Sequence, residues 1–272
     1  MSVVQAAVLG AIQGITEFLP ISSKSHLIIV PALLGWQSDL SFDVALHWGT
    51  ALAVILYFRA DWVRLFSSLA RGTRAGQPWR DPDGRLLVLI VIGSIPVFVA
   101  GLAFRSTFET MLAQTPVFAA RLSAALLLVT GGVLVTAEQL CRRRDETATL
   151  NSGRALAVGI AQAFAILPGI SRSGATIAAG LSGGLSREDA ARFSFLLGTP
   201  AIVGAGVLQT WAGTSDVAGP GEVATVLIGF AVAFVVGYLA IDWLLGYLRR
   251  ARLYAFAAYT WVFGLATLWW LG

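Results

Sequence analysis

The 272 residues are 57% hydrophobic and 12% charged, with a mean hydropathy of +0.76, a composition that excludes a soluble globular domain and describes a helical membrane protein. The net charge of +4 does not point to nucleic acid, because the arginines gather between apolar runs, as in cytoplasmic loops of membrane proteins. A single cysteine, Cys141, rules out a disulfide framework within the chain.

The chain opens with two apolar runs, Val3 to Ile12 and Leu27 to Leu34, each short of the roughly 20 residues that cross a bilayer. Pro20 breaks the helix between them, so the stretch from Gln13 to His26 is expected to turn back inside the membrane and line a protein-walled cavity. Ser22 and Ser23 are placed to cap the second half-helix, whose N-terminus would favour an anion such as phosphate. A span from about Ser41 to Phe58 follows, with Asp43 and His47 near its start. Arg59, Arg64, Arg71, Arg74, Arg80 and Arg85, with Gly and Pro among them, mark 59–85 as a cytoplasmic loop. Leu86 to Phe104 then leads outward and Pro116 to Ala137 returns to Arg142, Arg143, Arg144 and Arg154. The apolar stretch from Ala155 to Leu185 is again broken, by Pro168-Gly169 and Ser171-Arg172-Ser173-Gly174. Spans from Arg187 to Gln209, Val223 to Trp243 and Tyr254 to Leu271 complete the chain.

The two broken stretches resemble each other. Registering Gly10 on Gly159 also brings Gln13 onto Gln162, Ser22 onto Ser171, Gly35 onto Gly184 and Gly49-Thr50 onto Gly198-Thr199. Counting basic loops gives the two halves opposite orientations. The expectation is therefore an all-α polytopic bundle forming a single membrane domain over 1–272, with repeat one at about 1–137, a cytoplasmic loop at about 138–154 and an inverted repeat two at about 155–272. Broken helices of inverted repeats meet near the midplane of the membrane, so Glu17, Ser22, Ser23 and His26 are expected to face Ser171, Arg172 and Ser173.

These residues carry chemistry at a depth where an ionised side chain costs about 2.5 to 3.5 kcal/mol. Arg172 is a planar, permanently charged clamp for phosphate; the plainer reading is a structural salt bridge with Glu17. Glu17 either ligates Mg²⁺ or Ca²⁺ on a diphosphate or acts as a general base. Ser23 and His26, spaced i and i+3, would set a hydroxyl beside an imidazole, and the alternatives are that Ser23 only caps or that His26 itself attacks phosphorus or protonates the leaving group. Lys24 binds phosphate or snorkels. Gln13 and Gln162 read first as groups that satisfy hairpin backbone, with Gln13 one turn before Glu17 and able to share its ligand. His47 and Asp43 read first as a structural pair, and Gly49, Gly198 and Gly204 as close-packing positions between helices. The sequence holds no Walker motif, no Rossmann fingerprint and no Cys/His metal cluster.

Gln13-Gly-Ile-Thr-Glu17-Phe-Leu-Pro-Ile-Ser-Ser-Lys-Ser-His26 and Leu167-Pro-Gly-Ile-Ser-Arg-Ser-Gly-Ala-Thr176 resemble the two signatures of the undecaprenyl-pyrophosphate phosphatase family, the bacitracin-resistance type, over essentially the whole chain. The resemblance implies a bacterial inner-membrane enzyme that hydrolyses undecaprenyl diphosphate to the monophosphate with a divalent cation, recycling the lipid carrier of cell-wall synthesis. It places Glu17 and Gln13 on the family's Glu-rich motif, Ser23 and His26 on its nucleophile and acid-base pair, and Arg172 on its phosphate-binding arginine. Two positions depart from the pattern: Gln13 stands at the first acidic position, leaving Glu17 as the main metal ligand, and Ser25 replaces a glycine. The expected site faces the periplasm, with catalytic Glu17, Ser23, His26 and Arg172 and substrate-binding Gln13, Ser22, Lys24, Ser171 and Ser173. The expected partners are a polyprenyl diphosphate and membrane lipids, not nucleic acid; homodimerisation stays open. The rival reading is a lipid-phosphate transporter or flippase built on the same inverted repeats, which would need the arginine but no nucleophile.

Overall fold

The computed structural model describes residues 1–37, 39–74, 81–112, 115–141, 148–213 and 220–271. These residues form the helices α1 (Val3–Phe18), α2 (Ser23–Leu34), α3 (Leu40–Tyr57), α4 (Arg59–Arg74), α5 (Pro82–Leu112), α6 (Pro116–Cys141), α7 (Ser152–Phe164), α8 (Arg172–Ser182), α9 (Arg187–Gly213), α10 (Pro220–Leu248) and α11 (Tyr254–Leu271), with no strand among the described residues. Among the described residues, five helices are long and apolar enough to cross a membrane: α3, α6, and the segments Pro82–Phe104, Arg187–Trp211 and Val223–Leu248 of α5, α9 and α10. The molecule is a polytopic helical membrane protein.

Local sequence sets the helix ends around the first break. A capping box of Ser2 and Gln5 starts α1. The helix stops at Phe18 because Leu19, which precedes Pro20, is pushed to extended backbone (φ −67°, ψ 146°). Helix α2 ends on Gly35 in the left-handed conformation (φ 64°). Asp39 caps α3 by accepting from the Phe42 amide at 2.7 Å.

The expected loop at 59–85 is instead largely the amphipathic helix α4, with residues 75–80 outside the described set. Trp62, Leu65 and Leu69 recur at helical spacing and pack against the core, while Arg64 and Arg71 pair with Asp61 and with Asp83 and Asp81 of the α5 start. The density of arginines obscured that stripe in the sequence. Arg192 of α9 also pairs with Asp61, tying α4 to the bundle.

Helix α1 and the neighbouring α3 both lie on α10, α7 lies on α5, and α6 lies on α11. Contact between α1 and α10 is close enough that a Cβ on Gly10 would sit 2.6 Å from the carbonyl oxygen of Gly229. Gly159 of α7, the position matched to Gly10 in the sequence register, meets the backbone of Gly93 in α5 in the same way. Small residues at such contacts let backbones approach without a side chain between them. The bundle also buries one carboxylate completely: Glu138 of α6 accepts from Arg187 Nη2 at 2.8 Å, Arg187 Nε at 3.2 Å and the Leu253 amide at 2.9 Å, which joins α6 to the starts of α9 and α11.

Candidate active site at the meeting of two broken hairpins

The second hairpin is held open by its own turn. Gly169 takes φ 114°, a conformation that favours glycine. Thr130 of α6 donates to the Gly169 carbonyl at 2.7 Å and accepts from the Ser171 amide at 3.1 Å. Ser171 then caps α8 by accepting from the Gly174 amide at 3.1 Å, so Arg172 is the first residue of a short helix whose N-terminus points at the first hairpin. The tips are stitched together there: Ser173 Oγ donates to the Leu19 carbonyl at 3.0 Å, beside Pro20.

Glu17, 8% exposed, is the centre of the site. Its Oε1 accepts from Arg172 Nη2 at 3.2 Å, and its Oε2 accepts from Ser23 Oγ at 2.5 Å and Gln13 Nε2 at 3.1 Å. Arg172 is admitted by Gly198 of α9, where a Cβ would overlap the guanidinium. The Arg172 Nη1 group is buried with no protein partner. A serine hydroxyl donating to a buried carboxylate is the geometry in which the carboxylate takes the proton as oxygen attacks, and the adjacent arginine can stabilise charge growing on a phosphoryl group.

Glu17, Ser23 and Arg172 line a cavity of about 360 Å³. Glu17, Ser22, Ser23, Lys24, Ser171, Arg172, Gln162 and His47 make its polar end, and Val97, Ile166, Ile170, Ala201, Ile202 and Leu208 make an apolar wall. The shape suits an amphiphile with an anionic head.

The structure corrects three expectations about the first hairpin. Ser22 occupies the N-cap position of α2 but makes no side-chain cap; its backbone stands at φ 69°, where a non-glycine residue is strained by about 1–3 kcal/mol. Ser23 does not cap either, since its hydroxyl is on Glu17. His26 and Ser23 do not form a hydroxyl-imidazole pair. The Ser22 carbonyl can only accept, so His26 Nδ1 carries a proton and donates to it at 2.8 Å. The other ring nitrogen, Nε2, meets the Tyr259 hydroxyl at 2.7 Å, and the ring stacks on Phe263 with centroids 4.6 Å apart. His26 is thus absorbed between α2 and α11 and holds the strained Ser22 in place. The spacing i, i+3 is compatible with either arrangement, because it does not say which neighbour each side chain meets.

The remaining sequence candidates divide. Gln13 reaches Glu17 and Thr50 (3.4 Å) through Nε2, so its amide nitrogen is on the carboxylate itself rather than on hairpin backbone. Ser22, Lys24 and Ser171 line the cavity, whereas Ser173 is engaged on Leu19. His47, read from sequence as a structural pair with Asp43, also lines the cavity, with Nδ1 donating at 2.8 Å to the Asp43 backbone carbonyl. Thr130, Tyr259 and Gly198 were not assigned to the site: a threonine, a tyrosine or a glycine in an apolar span carries no positional signal. No group of three or more His, Cys, Asp or Glu that could hold a metal occurs among the described residues. Glu17 is the carboxylate of the site, and its Oε1, which accepts from Arg172 Nη2 at 3.2 Å, keeps a further lone pair.

Fold and site together define a class: an integral membrane protein whose half-buried cavity pairs a serine-carboxylate couple with an arginine for an anionic amphiphile. The chain belongs to the family described as bacitracin resistance protein BacA, which it matches over residues 6–266. Similar proteins include the undecaprenyl-diphosphatase of Synechococcus sp. (strain CC9902), 44% identical with 99% of this chain and 95% of that protein covered. The undecaprenyl-diphosphatases of Rubrobacter xylanophilus (40% identical, 98% and 97% covered) and Methanobrevibacter smithii (40% identical, 97% and 96% covered) are similar over the same extent.

Proposed function

We propose that the protein hydrolyses undecaprenyl diphosphate to undecaprenyl phosphate and inorganic phosphate in the bacterial inner membrane, from a cavity open to the periplasmic side. The observation that carries this reading is the 2.5 Å contact of Ser23 Oγ with the Glu17 carboxylate beside Arg172, in a cavity that also has an apolar wall. Glu17 removes the hydroxyl proton as Ser23 Oγ bonds to the terminal phosphorus; the bond from that phosphorus to the bridging oxygen breaks, and lipid monophosphate leaves. That proton passes from Glu17 to the departing monophosphate or to water; water then attacks the phosphoserine phosphorus as Glu17 takes its proton, the Oγ–P bond breaks, and the proton returns to Ser23 Oγ as inorganic phosphate leaves. Arg172 releases part of its contact with Glu17 and, with its unpartnered Nη1, neutralises charge on the equatorial oxygens. Lys24, Ser22 and Ser171 stand around the diphosphate, and the prenyl chain follows the apolar wall. His26 acts through the backbone of Ser22, as a positioning residue. A Mg²⁺ or Ca²⁺ ion travels with the diphosphate as part of the substrate, reducing its charge, with Glu17 as the one protein carboxylate near it.

The inverted-repeat organisation, over about 1–137 and 155–272, is supported by the matched glycines: Gly10 and Gly159 each dock their own hairpin onto a long helix of the other half. The serine-carboxylate couple favours hydrolysis over transport, since a transporter needs binding groups but no activated hydroxyl. Phosphate release from a long-chain prenyl diphosphate by purified protein tests the proposal: Ser23→Ala and Arg172→Ala should abolish release, and binding without release by the wild type would instead support a transporter.

A further inference from the structure

Gln162 of α7 is 1% exposed and lines the cavity, yet neither its amide nitrogen nor its amide oxygen has a hydrogen-bond partner. Its counterpart in the sequence register, Gln13, has its nitrogen on Glu17 and Thr50. Buried amides are almost always paired, and one left open on both atoms calls for a ligand. The contact of Gly159 with the backbone of Gly93 fixes α7 against α5, so the Gln162 side chain is held in the cavity. Arg172, which lines the same cavity, likewise has a buried and unpartnered nitrogen, Nη1.

We propose that Gln162 is a substrate-binding residue that holds the lipid-attached phosphate, an inference that rests on the hydrolase reading. Glu17, Ser23 and Arg172 gather around the terminal phosphorus, so the second phosphate must lie elsewhere in the cavity. Ala165 and Ile166, which follow Gln162 along the chain, line the same cavity and begin its apolar wall, where the prenyl chain must start. The amide nitrogen donates to a non-bridging phosphate oxygen, and the amide oxygen accepts from a protonated phosphate oxygen or a water on it. A neutral amide recognises this phosphate without adding charge that would retain the lipid monophosphate after hydrolysis.

The test compares wild type with Gln162→Leu for turnover of a prenyl diphosphate and for direct binding of a prenyl monophosphate in detergent. The expected result is a KM and a monophosphate Kd each weaker by about tenfold, as for the loss of one hydrogen bond to a charged group, with inhibition by inorganic phosphate unchanged. Because leucine breaks no hydrogen bond that the protein makes without substrate, the Tm should hold or rise, which a structural role would not allow. Unchanged KM and Kd, or a lowered Tm with all ligands weakened alike, would overturn the assignment. A wild type that binds the monophosphate but releases no phosphate from the diphosphate would count against the hydrolase reading, while the ratio of monophosphate Kd values would still decide Gln162.

Discussion

Gly198→Ala adds one methyl group, and its consequence follows from where that group must go. An ideal Cβ at this position overlaps Arg172 Nη1, with the guanidinium carbon 2.7 Å away, so the arginine has to leave. Two charge-assisted contacts go with it, Nη2 on Glu17 Oε1, now 3.2 Å, and the contact of the guanidinium with the substrate, along with a long 3.5 Å approach of Nη2 to the Glu17 carbonyl. At about 1.5–3 kcal/mol for each charge-assisted contact, the loss is about 3–6 kcal/mol, or roughly 10²- to 10⁴-fold in kcat/KM. Gly204→Ala on the same helix is the control. Its Cβ would stand 2.7 Å from the Phe98 ring, an overpacking cost of about 1–3 kcal/mol that leaves Arg172 alone. Steady-state phosphate release and thermal unfolding in detergent, measured for both variants, separate the two effects. Both should lose stability and only Gly198→Ala should lose activity beyond it. A Gly198→Ala protein that keeps kcat/KM within about threefold of wild type, well inside one factor of ten or 1.4 kcal/mol, would refute the argument.

Further outcomes follow from the other contacts. Glu138→Ala leaves Arg187 and the Leu253 amide without their buried acceptor and should destabilise the bundle by about 3–5 kcal/mol, read as a lowered unfolding midpoint in detergent. Ser173→Ala removes the hydroxyl that joins the hairpin tips at the Leu19 carbonyl; it should cost about 0.5–1.5 kcal/mol of stability, with kcat/KM reduced a fewfold in the same release assay. His26→Gln should lower kcat by relaxing the Ser22 turn while keeping the shape of the pH-rate profile; loss of one limb of that profile would return His26 to acid-base chemistry. Gln13→Glu sets a second carboxylate beside Glu17, 3.1 Å from its Oε2, and should make phosphate release more sensitive to chelator than it is in the wild type.

The breaks were legible because Pro20 and Pro168-Gly169 interrupt apolar runs too short to span, and because Glu17 and Arg172 are costly at that depth. Those two residues do meet, and Ser23 joins them. The pairing of His26 was not legible: periodicity gives the face of a helix and not the neighbour on it, and that neighbour, Tyr259, lies on the last helix of the chain. Ser22 reads as a cap by residue type, but its backbone at φ 69° cannot present the side chain in that way. Helix α4 was hidden because its arginines outweigh a narrow apolar stripe. Gly198 reads as packing, and it is packing, but against the guanidinium of Arg172.

The most direct test of the central claim is to trap the covalent intermediate, by quenching the enzyme during turnover of a prenyl diphosphate radiolabelled on its terminal phosphate and mapping the label. Serine attack assisted by Glu17 predicts label on Ser23 and none in Ser23→Ala. Label on His26, or undiminished phosphate release by Ser23→Ala, would contradict it.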